Sequence, residues 1–393
     1  PDAIEATVTS RLSSRLAADA SGVWRYRELV LDLPANDLVT FPEGRTNLYA
    51  LDPAPLGLSA LWVKHEGENP TGSFKDRGMT VAVSWAKHQG ARALLCASTG
   101  NTSASLAAYG ARAGIPVFVL IPEGKIAQGK LAQALAYGAH TLQIDGSFDD
   151  AMRAVEQLAV QHGLTLVNSL NPFRLEGQKT IILDSYFQMD RSLPDWIVVP
   201  GGNLGNTSAF GKALVEMVAL GLIDHLPRLA VIQADGAAPF AHAAATGFAH
   251  FEAVQPETIA TAIRIGNPVN YPKAVRAIAA THGVVTTVTD TDILAAKHDL
   301  DRMALGCEPA SAATLAGLRR LTRDGIIQPG QSALLILTGN LLKDPDTTIA
   351  LATGRTAELG VAGASALDAC ANPPRRVPSD PAAIARIIEE CLS

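Results

Sequence analysis

Short apolar runs alternate with amphipathic stretches along the chain from about residue 93. The apolar runs are rich in β-branched residues and predict strands at residues 93–99, 117–122, 141–145 and 164–169. Between these runs, apolar residues recur at helical spacing, as Met152, Val155 and Leu158 do on one face of a predicted helix. Strand–helix–strand alternation of this length predicts parallel strands joined by right-handed crossovers.

A second series of apolar runs follows the first. It predicts strands at residues 196–200, 229–235, 284–290 and 333–339, and a separate run at 61–66 precedes both series. The two series predict an α/β fold with two open, mostly parallel sheets and flanking helices. In such sheets ligands bind beyond the carboxyl ends of the strands, so the loops that follow the strands are the first place to look for chemistry.

Composition and charge narrow the classes of function. The 393 residues are 48% hydrophobic and 18% charged, which is typical of a globular protein with a large core. The net charge is −6 and no basic block interrupts it, so we expect no nucleic-acid partner. No apolar run is long enough to cross a bilayer or to act as a secretory signal, so we expect no membrane partner.

The cysteines and histidines show no metal-binding pattern. Cys96, Cys307, Cys370 and Cys391 have neither metal-type spacing nor the density of a disulfide framework. The nine histidines contain no H-E-x-x-H or comparable motif, so we predict no metal. Sparse cysteines are typical of a reducing compartment, and we expect the protein to be cytoplasmic.

A lysine stands in the loop after the strand at 61–66, in the stretch "ENPTGSFKDRG" at residues 68–78. Asn69 and Pro70 indicate a turn, and Ser73 is a possible N-cap for a helix that starts near Lys75. The positive end of a helix lowers the pKa of an amine in its first turn, and a neutral amine is the nucleophile of Schiff-base chemistry. Taken alone, these residues fit a solvated surface lysine better than a nucleophile.

A second loop, "STGNTSAS" at residues 98–105, joins a predicted strand to a predicted helix. Its small hydroxyl residues crowd a helix N-terminus, where backbone N–H groups can hold a carboxylate or a phosphate. A helix cap needs only one such residue, so the excess favours a binding role over capping alone.

A third loop, "PGGNLGN" at residues 200–206, also runs from strand to helix. Its glycines would let the backbone approach a phosphate, although the spacing matches neither G-x-G-x-x-G nor a Walker A loop. A tight strand–helix turn is the alternative. In "LTGN" at residues 337–340, Thr338 could bind a ring nitrogen or a carboxylate, but taken alone a capping role explains this residue better. Arg174 and Lys179 could reach a phosphate, and Lys179 fits a solvated helix face better.

The ordered set of these loops resembles the threonine synthases, members of the tryptophan-synthase-β type of pyridoxal-phosphate (PLP) enzymes. The resemblance covers nearly the whole chain, and its most specific parts are "NPTGSFKDRG" and "AIRIGNP". It implies fold type II, with the active site between two domains. It also implies a large cofactor-binding domain at residues 1–78 and 176–393 and a small α/β domain at residues 79–175.

The resemblance implies a role for each matching position. Lys75 would hold PLP covalently and shuttle protons, Asn101 would bind the ring hydroxyl oxygen, and Thr338 would face the pyridine nitrogen. The cofactor phosphate would be cradled by Gly202, Asn203, Leu204, Gly205 and Asn206. The carboxylate and phosphate of the substrate would be held by Ser98, Thr99, Thr102, Ser169 and Arg174.

The implied reaction converts O-phospho-L-homoserine and water to L-threonine and phosphate, the last step of threonine biosynthesis. A homodimer is common in the family. Arg45 and Asn47 in "GRTNL" depart from the usual "GNTPL", which puts the choice of substrate in doubt. The alternatives are a PLP lyase resembling cysteate synthase, a threonine dehydratase, a nicotinamide-dependent oxidoreductase built on the third loop, and a non-catalytic sensor with a degenerate site.

Overall fold

The computed structural model describes residues 21–122 and 128–392 of the chain. Its strands are β1 (Leu48–Leu51), β2 (Ala60–His65), β3 (Leu94–Ala97), β4 (Val117–Pro122), β5 (His140–Ile144), β6 (Thr165–Leu166), β7 (Trp196–Pro200), β8 (Arg228–Ala234), β9 (Val284–Val288) and β10 (Ser332–Leu337). Its α-helices are α1 (Arg27–Val30), α2 (Lys75–His88), α3 (Asn101–Ala113), α4 (Gln128–Ala136), α5 (Phe148–His162), α6 (Pro172–Gln188), α7 (Gly205–Ala219), α8 (Pro239–Ala245), α9 (Tyr271–Ala280), α10 (Asp290–Arg302), α11 (Pro309–Arg323), α12 (Pro345–Thr353) and α13 (Pro381–Leu392).

Six strands form the larger sheet, in the order β1-β2-β10-β7-β8-β9. All neighbours in it are parallel except β1, which is antiparallel to β2. Successive residues of β7 enter opposite cores: Ile197 and Val199 pack in one hydrophobic cluster, and Trp196 and Val198 in another. A strand covered on both faces needs a continuous apolar run, which is why "WIVVP" has no polar alternation.

The smaller sheet has four strands in the order β5-β4-β3-β6, and all of its pairs are parallel. It too is covered on both faces, since Cys96 of β3 packs in one cluster and its neighbours Leu95 and Ala97 in another. The prediction of an α/β fold with two open, mostly parallel sheets is therefore confirmed.

Strand ends differ from the prediction where side chains replace backbone pairing. The strands predicted at 117–122 and 196–200 coincide with β4 and β7, but the one predicted at 164–169 shortens to the two residues of β6. Asn168 explains the early end: its amide side chain accepts from Ala97 N–H at 3.0 Å and donates to Ala97 O at 2.8 Å. The side chain thus takes the backbone groups of β3 that a longer β6 would have used.

The chain divides into two compact units, one that ends at Pro345 and contains both sheets and one from Asp346 onwards. In the second unit, Thr356 Oγ1 donates to Asp368 at 2.7 Å and closes two short helical turns on each other. The domain boundaries after residues 78 and 175 stay a prediction. No helix in the described part of the chain is both long and apolar enough to cross a bilayer.

Candidate active site

The lysine loop is fastened to the end of β10 by backbone hydrogen bonds. Phe74 N–H donates to Thr338 O at 3.0 Å, and Asn340 N–H donates to Gly72 O at 3.0 Å. Between these bonds, Ser73 and Gly339 form an antiparallel bridge. Two loops that are more than 250 residues apart in sequence therefore meet where helix α2 begins.

Helix α2 begins at Lys75, as predicted, but the predicted N-cap is wrong. Phe74 occupies the cap position with helical backbone angles and no capping side chain. Ser73 does not serve because its backbone pairs with Gly339, and its buried hydroxyl bonds no residue in the described part of the chain. The half-buried Lys75 places Nζ 4.0 Å from the centroid of the Phe74 ring.

Asp76 joins the lysine loop to the loop of residues 98–105. Its carboxylate accepts from Thr71 N–H at 2.7 Å, from Thr71 Oγ1 at 2.6 Å and from Ser105 Oγ at 2.5 Å. Burial raises the pKa of Asp76 to about 6, although these hydrogen bonds oppose the rise. The loop that carries Lys75 is thus held by a carboxylate bonded to the helix opposite.

A buried ion cluster anchors the next residue of α2. Arg77 donates to Glu66 from Nε at 2.6 Å and from Nη2 at 2.7 Å, and Nη2 also reaches Asp184 at 2.8 Å. Lys64 lies 3.3 Å from the same oxygen of Asp184. Burial alone would raise the pKa of Asp184, but Lys64 and Arg77 hold it at about 2. The cluster fixes the first turn of α2 to β2 and to α6.

Two glycines let α2 and α6 touch through their backbones. A Cβ on Gly78 would lie 2.8 Å from Arg174 O, and a Cβ on Gly177 would lie 1.8 Å from Arg77 O. No side chain fits at either position, so the crossing requires glycine at both. The close approach places Arg174 beside the first turn of the lysine helix.

Arg174 is a buried cation without an anionic partner. It is 1% exposed. Among the described residues its Nε has no hydrogen-bond partner, and its Nη1 makes a 3.4 Å bond to Val167 O. No carboxylate within residues 21–122 and 128–392 forms an ion pair with it. Burial lowers its pKa to about 10, which leaves it charged at neutral pH. A charge buried in this way favours the binding of an anion.

Lys179, the other candidate for a phosphate contact, has its donors occupied. It bonds Leu29 O at 2.7 Å and the carboxylates of Glu176 and Glu216, each at 2.6 Å. Its role in the fold is to pin α6 to its neighbours.

The hydroxyl loop begins α3 without a side-chain cap. The cap residue is Gly100, so capping does not account for the surrounding hydroxyls. Ser98 Oγ accepts from Gly100 N–H at 3.1 Å. Within the described residues, the side chains of Thr99 and Thr102 make no hydrogen bond, and Thr102 is 8% exposed. The loop therefore keeps hydroxyls and helix N–H groups for a ligand.

Asn101, the first residue of α3, bonds a carboxylate that the sequence analysis did not assign to the site. Its Nδ2 lies 3.1 Å from both carboxylate oxygens of Glu308, and its buried Oδ1 has no partner among the residues that the structure describes. Glu308 is itself fastened to the end of β10, because its N–H donates to Gly339 O at 3.0 Å. The motif "CEPASAATLAGL" marked this segment but gave no sign that Glu308 turns towards Asn101.

The glycine loop leads from β7 into the N-terminus of α7. Leu204 takes the left-handed conformation, with φ of 60°, just before the helix starts at Gly205. A Cβ on Gly202 would lie 3.2 Å from Ala262 O, so the loop packs tightly on the segment that precedes "RIGNP". In the first turn of α7, Asn206 Oδ1 and Thr207 Oγ1 are buried and form no hydrogen bond within residues 21–122 and 128–392. Thr207 was missed in the sequence, although its position in the first helical turn is typical of phosphate sites.

Asn270 connects the glycine loop to the Ser169 segment. Its N–H donates to Asn203 O at 3.3 Å, and its Nδ2 donates to Ser169 O at 3.2 Å. Asn270 is 1% exposed, lies in the "AIRIGNPVNYP" motif and was also missed as a site residue. By contrast, no hydrogen bond between described residues joins Arg174 to Ser98, Thr99 or Thr102.

Arg45 and Asn47, the two departures from the family pattern, lie at the exposed start of β1. Asn47 N–H donates to Glu68 Oε2 at 2.8 Å, and Tyr49 donates to Glu68 Oε1 at 2.6 Å. A proline at position 47 has no N–H, so this bond to the first residue of the lysine loop depends on the departure. An effect on substrate choice stays a prediction.

Sequence comparison assigns the chain to a family. Residues 39–339 match the family described as "Pyridoxal-phosphate dependent enzyme". The threonine synthase of Methanosarcina acetivorans is 51% identical over 85% of this chain and 83% of its own length. That of Synechocystis is 46% identical over 84% of this chain and 86% of its own length. The chain belongs to the threonine synthases. The resemblance drawn from the sequence is therefore confirmed, together with a PLP cofactor and a lyase activity.

Solved structures show the same fold at low identity. Maize serine racemase superimposes with a TM-score of 0.67 at 22% identity, covering 81% of this chain and 94% of its own. The processed threonine deaminase isoform 2 of Solanum lycopersicum gives 0.66 at 19% identity, covering 86% and 85%. These neighbours confirm the fold expected for threonine synthases.

The residues around Lys75 fit PLP. The cofactor needs a lysine, donors for a phosphate, and polar partners for its ring hydroxyl and ring nitrogen. Lys75 stands beside the end of β10, where Thr338 is 5% exposed. The first turn of α7 offers helix N–H groups and the Thr207 hydroxyl, and Asn101 offers Oδ1; neither side-chain atom has a partner in the described part of the structure. Buried polar atoms that lack partners are costly unless a ligand completes them.

Proposed function

We propose that this site converts O-phospho-L-homoserine and water to L-threonine and inorganic phosphate, with PLP held on Lys75. The observation that carries the proposal is the fastening of the lysine loop to the end of β10 by the Phe74–Thr338 and Asn340–Gly72 backbone bonds. It joins the residue just before Lys75 to the backbone of Thr338 at a strand end, where ligands of open α/β sheets bind.

Each predicted cofactor contact has support in its surroundings. Gly202, Asn203, Leu204, Gly205 and Asn206 would present backbone N–H groups to the cofactor phosphate at the N-terminus of α7, and Thr207 adds a buried hydroxyl. Asn101 would meet the ring hydroxyl oxygen, and Thr338 the ring nitrogen. When bound, the cofactor supplies an electron sink. The protein holds it and places proton carriers around it.

Lys75 Nζ would carry protons to and from the substrate. The first turn of α2, which carries Lys75, is anchored by the next two residues, Asp76 and Arg77, both fully buried and hydrogen-bonded. A base held by its neighbours needs little reorganisation when the substrate arrives. In the overall change the C–O bond at Cγ breaks and phosphate leaves with the electron pair. Cβ loses a proton and Cγ gains one, and water supplies the hydroxyl at Cβ and its remaining proton to the phosphate.

The substrate anions would bind to a second set of residues. Arg174 is buried and charged and forms no ion pair with any residue that the structure describes, so it suits the phosphate of the substrate. Ser98, Thr99, Thr102 and Ser169 would supply hydroxyl and N–H donors to the carboxylate and the phosphate. A leaving phosphate is stabilised by donors that are already in place as its charge develops.

A direct assay tests the proposal. Purified protein with PLP is incubated with O-phospho-L-homoserine, and threonine and phosphate are measured together. We expect the two products in equal amounts. Release of phosphate from O-phosphoserine with sulfite, but not from phosphohomoserine, would instead identify a cysteate synthase. Ammonia and 2-oxobutanoate from threonine would identify a dehydratase.

We also propose that the enzyme is cytoplasmic and homodimeric. All four cysteines are free thiols, two of them buried and two exposed, which suits a reducing compartment. Fractionation of cells by organelle marker tests the compartment, and light scattering of the purified protein tests the dimer. A monomeric mass with full activity would contradict the second proposal.

A further inference from the structure

Two hydroxyls lie side by side at the end of β10. Thr338 Oγ1 and Ser311 Oγ are 3.0 Å apart, and from this distance alone either could donate to the other. Ser311 stands in the first turn of α11 and is 0% exposed, and Thr338 is 5% exposed. Their other partners decide the direction of the bond.

Ser311 Oγ already accepts two hydrogen bonds. Thr338 N–H donates to it at 2.8 Å and Gly339 N–H donates to it at 3.0 Å. A hydroxyl oxygen has two lone pairs and one hydrogen. With both lone pairs taken, Ser311 cannot accept from the hydroxyl of Thr338. In the contact between the two hydroxyls, Ser311 is therefore the donor and Thr338 the acceptor.

The hydrogen of the Thr338 hydroxyl is left for a ligand. The other acceptor within reach of Ser311 is Gly339 O, at the longer distance of 3.4 Å, and using it would not change what Ser311 can accept. Within the described residues, Thr338 Oγ1 has no hydrogen-bond partner besides Ser311. The Thr338 hydroxyl is thus available to donate a hydrogen bond to a ligand.

We propose that Ser311 is a positioning residue that aims the hydroxyl hydrogen of Thr338 at the ring nitrogen of the cofactor. The inference rests on the proposed function, in which Thr338 faces that nitrogen. A donor aimed at the nitrogen complements a nitrogen that carries no proton, since a protonated nitrogen needs an acceptor instead. Ser311 would thereby help to keep the ring nitrogen unprotonated without touching the cofactor.

The test uses PLP labelled with ¹⁵N at the ring nitrogen and bound to the full-length enzyme. The ¹⁵N chemical shift reports whether that nitrogen is protonated, hydrogen-bonded or free, and it requires no turnover. The variants are Ser311→Ala, Thr338→Val and the double variant. The matched control is Ser185→Ala, because Ser185 is equally buried in a helix but its hydroxyl donates to Ile181 O at 2.8 Å.

We expect the wild-type resonance of an unprotonated, hydrogen-bonded nitrogen. Ser311→Ala should move it towards the position seen in Thr338→Val, and Ser185→Ala should leave it in place. The double variant should match Thr338→Val, because Ser311 acts through Thr338 and the two effects should not add. A protonated nitrogen in the wild type, or a wild-type resonance in Ser311→Ala while Thr338→Val shifts, would overturn the proposal.

A further variant covers the case in which Ser311→Ala does not fold. Ser311→Cys keeps the shape but offers a weaker donor and acceptor, so its resonance should move in the same direction by a smaller amount. An unmoved resonance would overturn the proposal. If the shifts follow this pattern but phosphohomoserine is not converted, the positioning role stands and the proposed reaction fails.

Discussion

Replacing Arg77 by methionine should destabilise the protein strongly, and the loss should depend on pH. The change removes a buried guanidinium that makes two bonds to Glu66 and one to Asp184, all between 2.6 and 2.8 Å. Breaking a buried ion pair from one side costs about 3–5 kcal/mol, because the carboxylates stay buried without their partner. Glu66 loses both of its bonds to the guanidinium, whereas Asp184 keeps Lys64 at 3.3 Å, so we expect a loss within that range.

The pH dependence follows from the carboxylates. In the wild type the pKa values of Glu66 and Asp184 are lowered, that of Asp184 to about 2. The two carboxylates therefore contribute their full stabilisation above about pH 4, the pKa of an unfolded carboxyl. That stabilisation is lost only as the pH falls through the lower pKa values of the folded state. Without Arg77 both pKa values should rise because the carboxyls stay buried, that of Asp184 less, since Lys64 remains beside it. The variant then gains protons and stability as pH falls, and its deficit relative to the wild type should shrink between about pH 8 and about pH 5.

Urea unfolding followed by tryptophan fluorescence at both pH values measures this deficit. The control is Arg302→Met, which removes an exposed arginine and should change the free energy of unfolding by no more than about 0.5 kcal/mol. A loss of less than about 1 kcal/mol for Arg77→Met, or a deficit that is the same at both pH values, would refute the account of the cluster.

Three further predictions follow from the same contacts. Gly177→Ala puts a Cβ 1.8 Å from Arg77 O and should cost about 1–3 kcal/mol or more, measured by urea unfolding; an unchanged midpoint would contradict the backbone contact. Burial raises the pKa of Asp76 to about 6, so between about pH 4 and about pH 6 the folded state keeps a proton that the unfolded chain has released. The free energy of unfolding should therefore fall as the pH rises through this range. Asp76→Asn should remove that part of the slope in urea midpoints measured against pH, and an unchanged slope would contradict it. Arg174→Met should raise KM for phosphohomoserine at least about tenfold without lowering the melting temperature of the cofactor-free protein, since the buried guanidinium lacks an anionic partner. A wild-type KM would remove Arg174 from the substrate site.

Most of the fold could be predicted from the sequence because it depends on local patterns. Strands buried on both faces require continuous apolar runs, and "VFVLIP" and "WIVVP" gave β4 and β7 to the residue. The start of α2 at Lys75 was legible for the same reason, since turn residues precede it. Ser73 misled as an N-cap because local propensity takes no account of its pairing with Gly339.

The hydrogen-bond partners of the site residues could not be predicted, because they come from distant parts of the chain. Glu308 bonds Asn101 across 207 positions, and only the fold brings the two together. In the sequence Gly177 is likewise an ordinary glycine of a predicted helix, and only the structure shows that Arg77 O packs against its Cα. Motifs located the loops, whereas hydrogen bonds between loops decide which atoms are left for a ligand.

The identity of the lysine that carries PLP tests the central claim most directly. The holoenzyme is reduced with borohydride and digested, and the cofactor-bearing peptide is sequenced by mass spectrometry. We expect a single adduct, on Lys75, and none in Lys75→Ala. An adduct on another lysine in the wild type, or an unchanged adduct in the variant, would contradict the site described here.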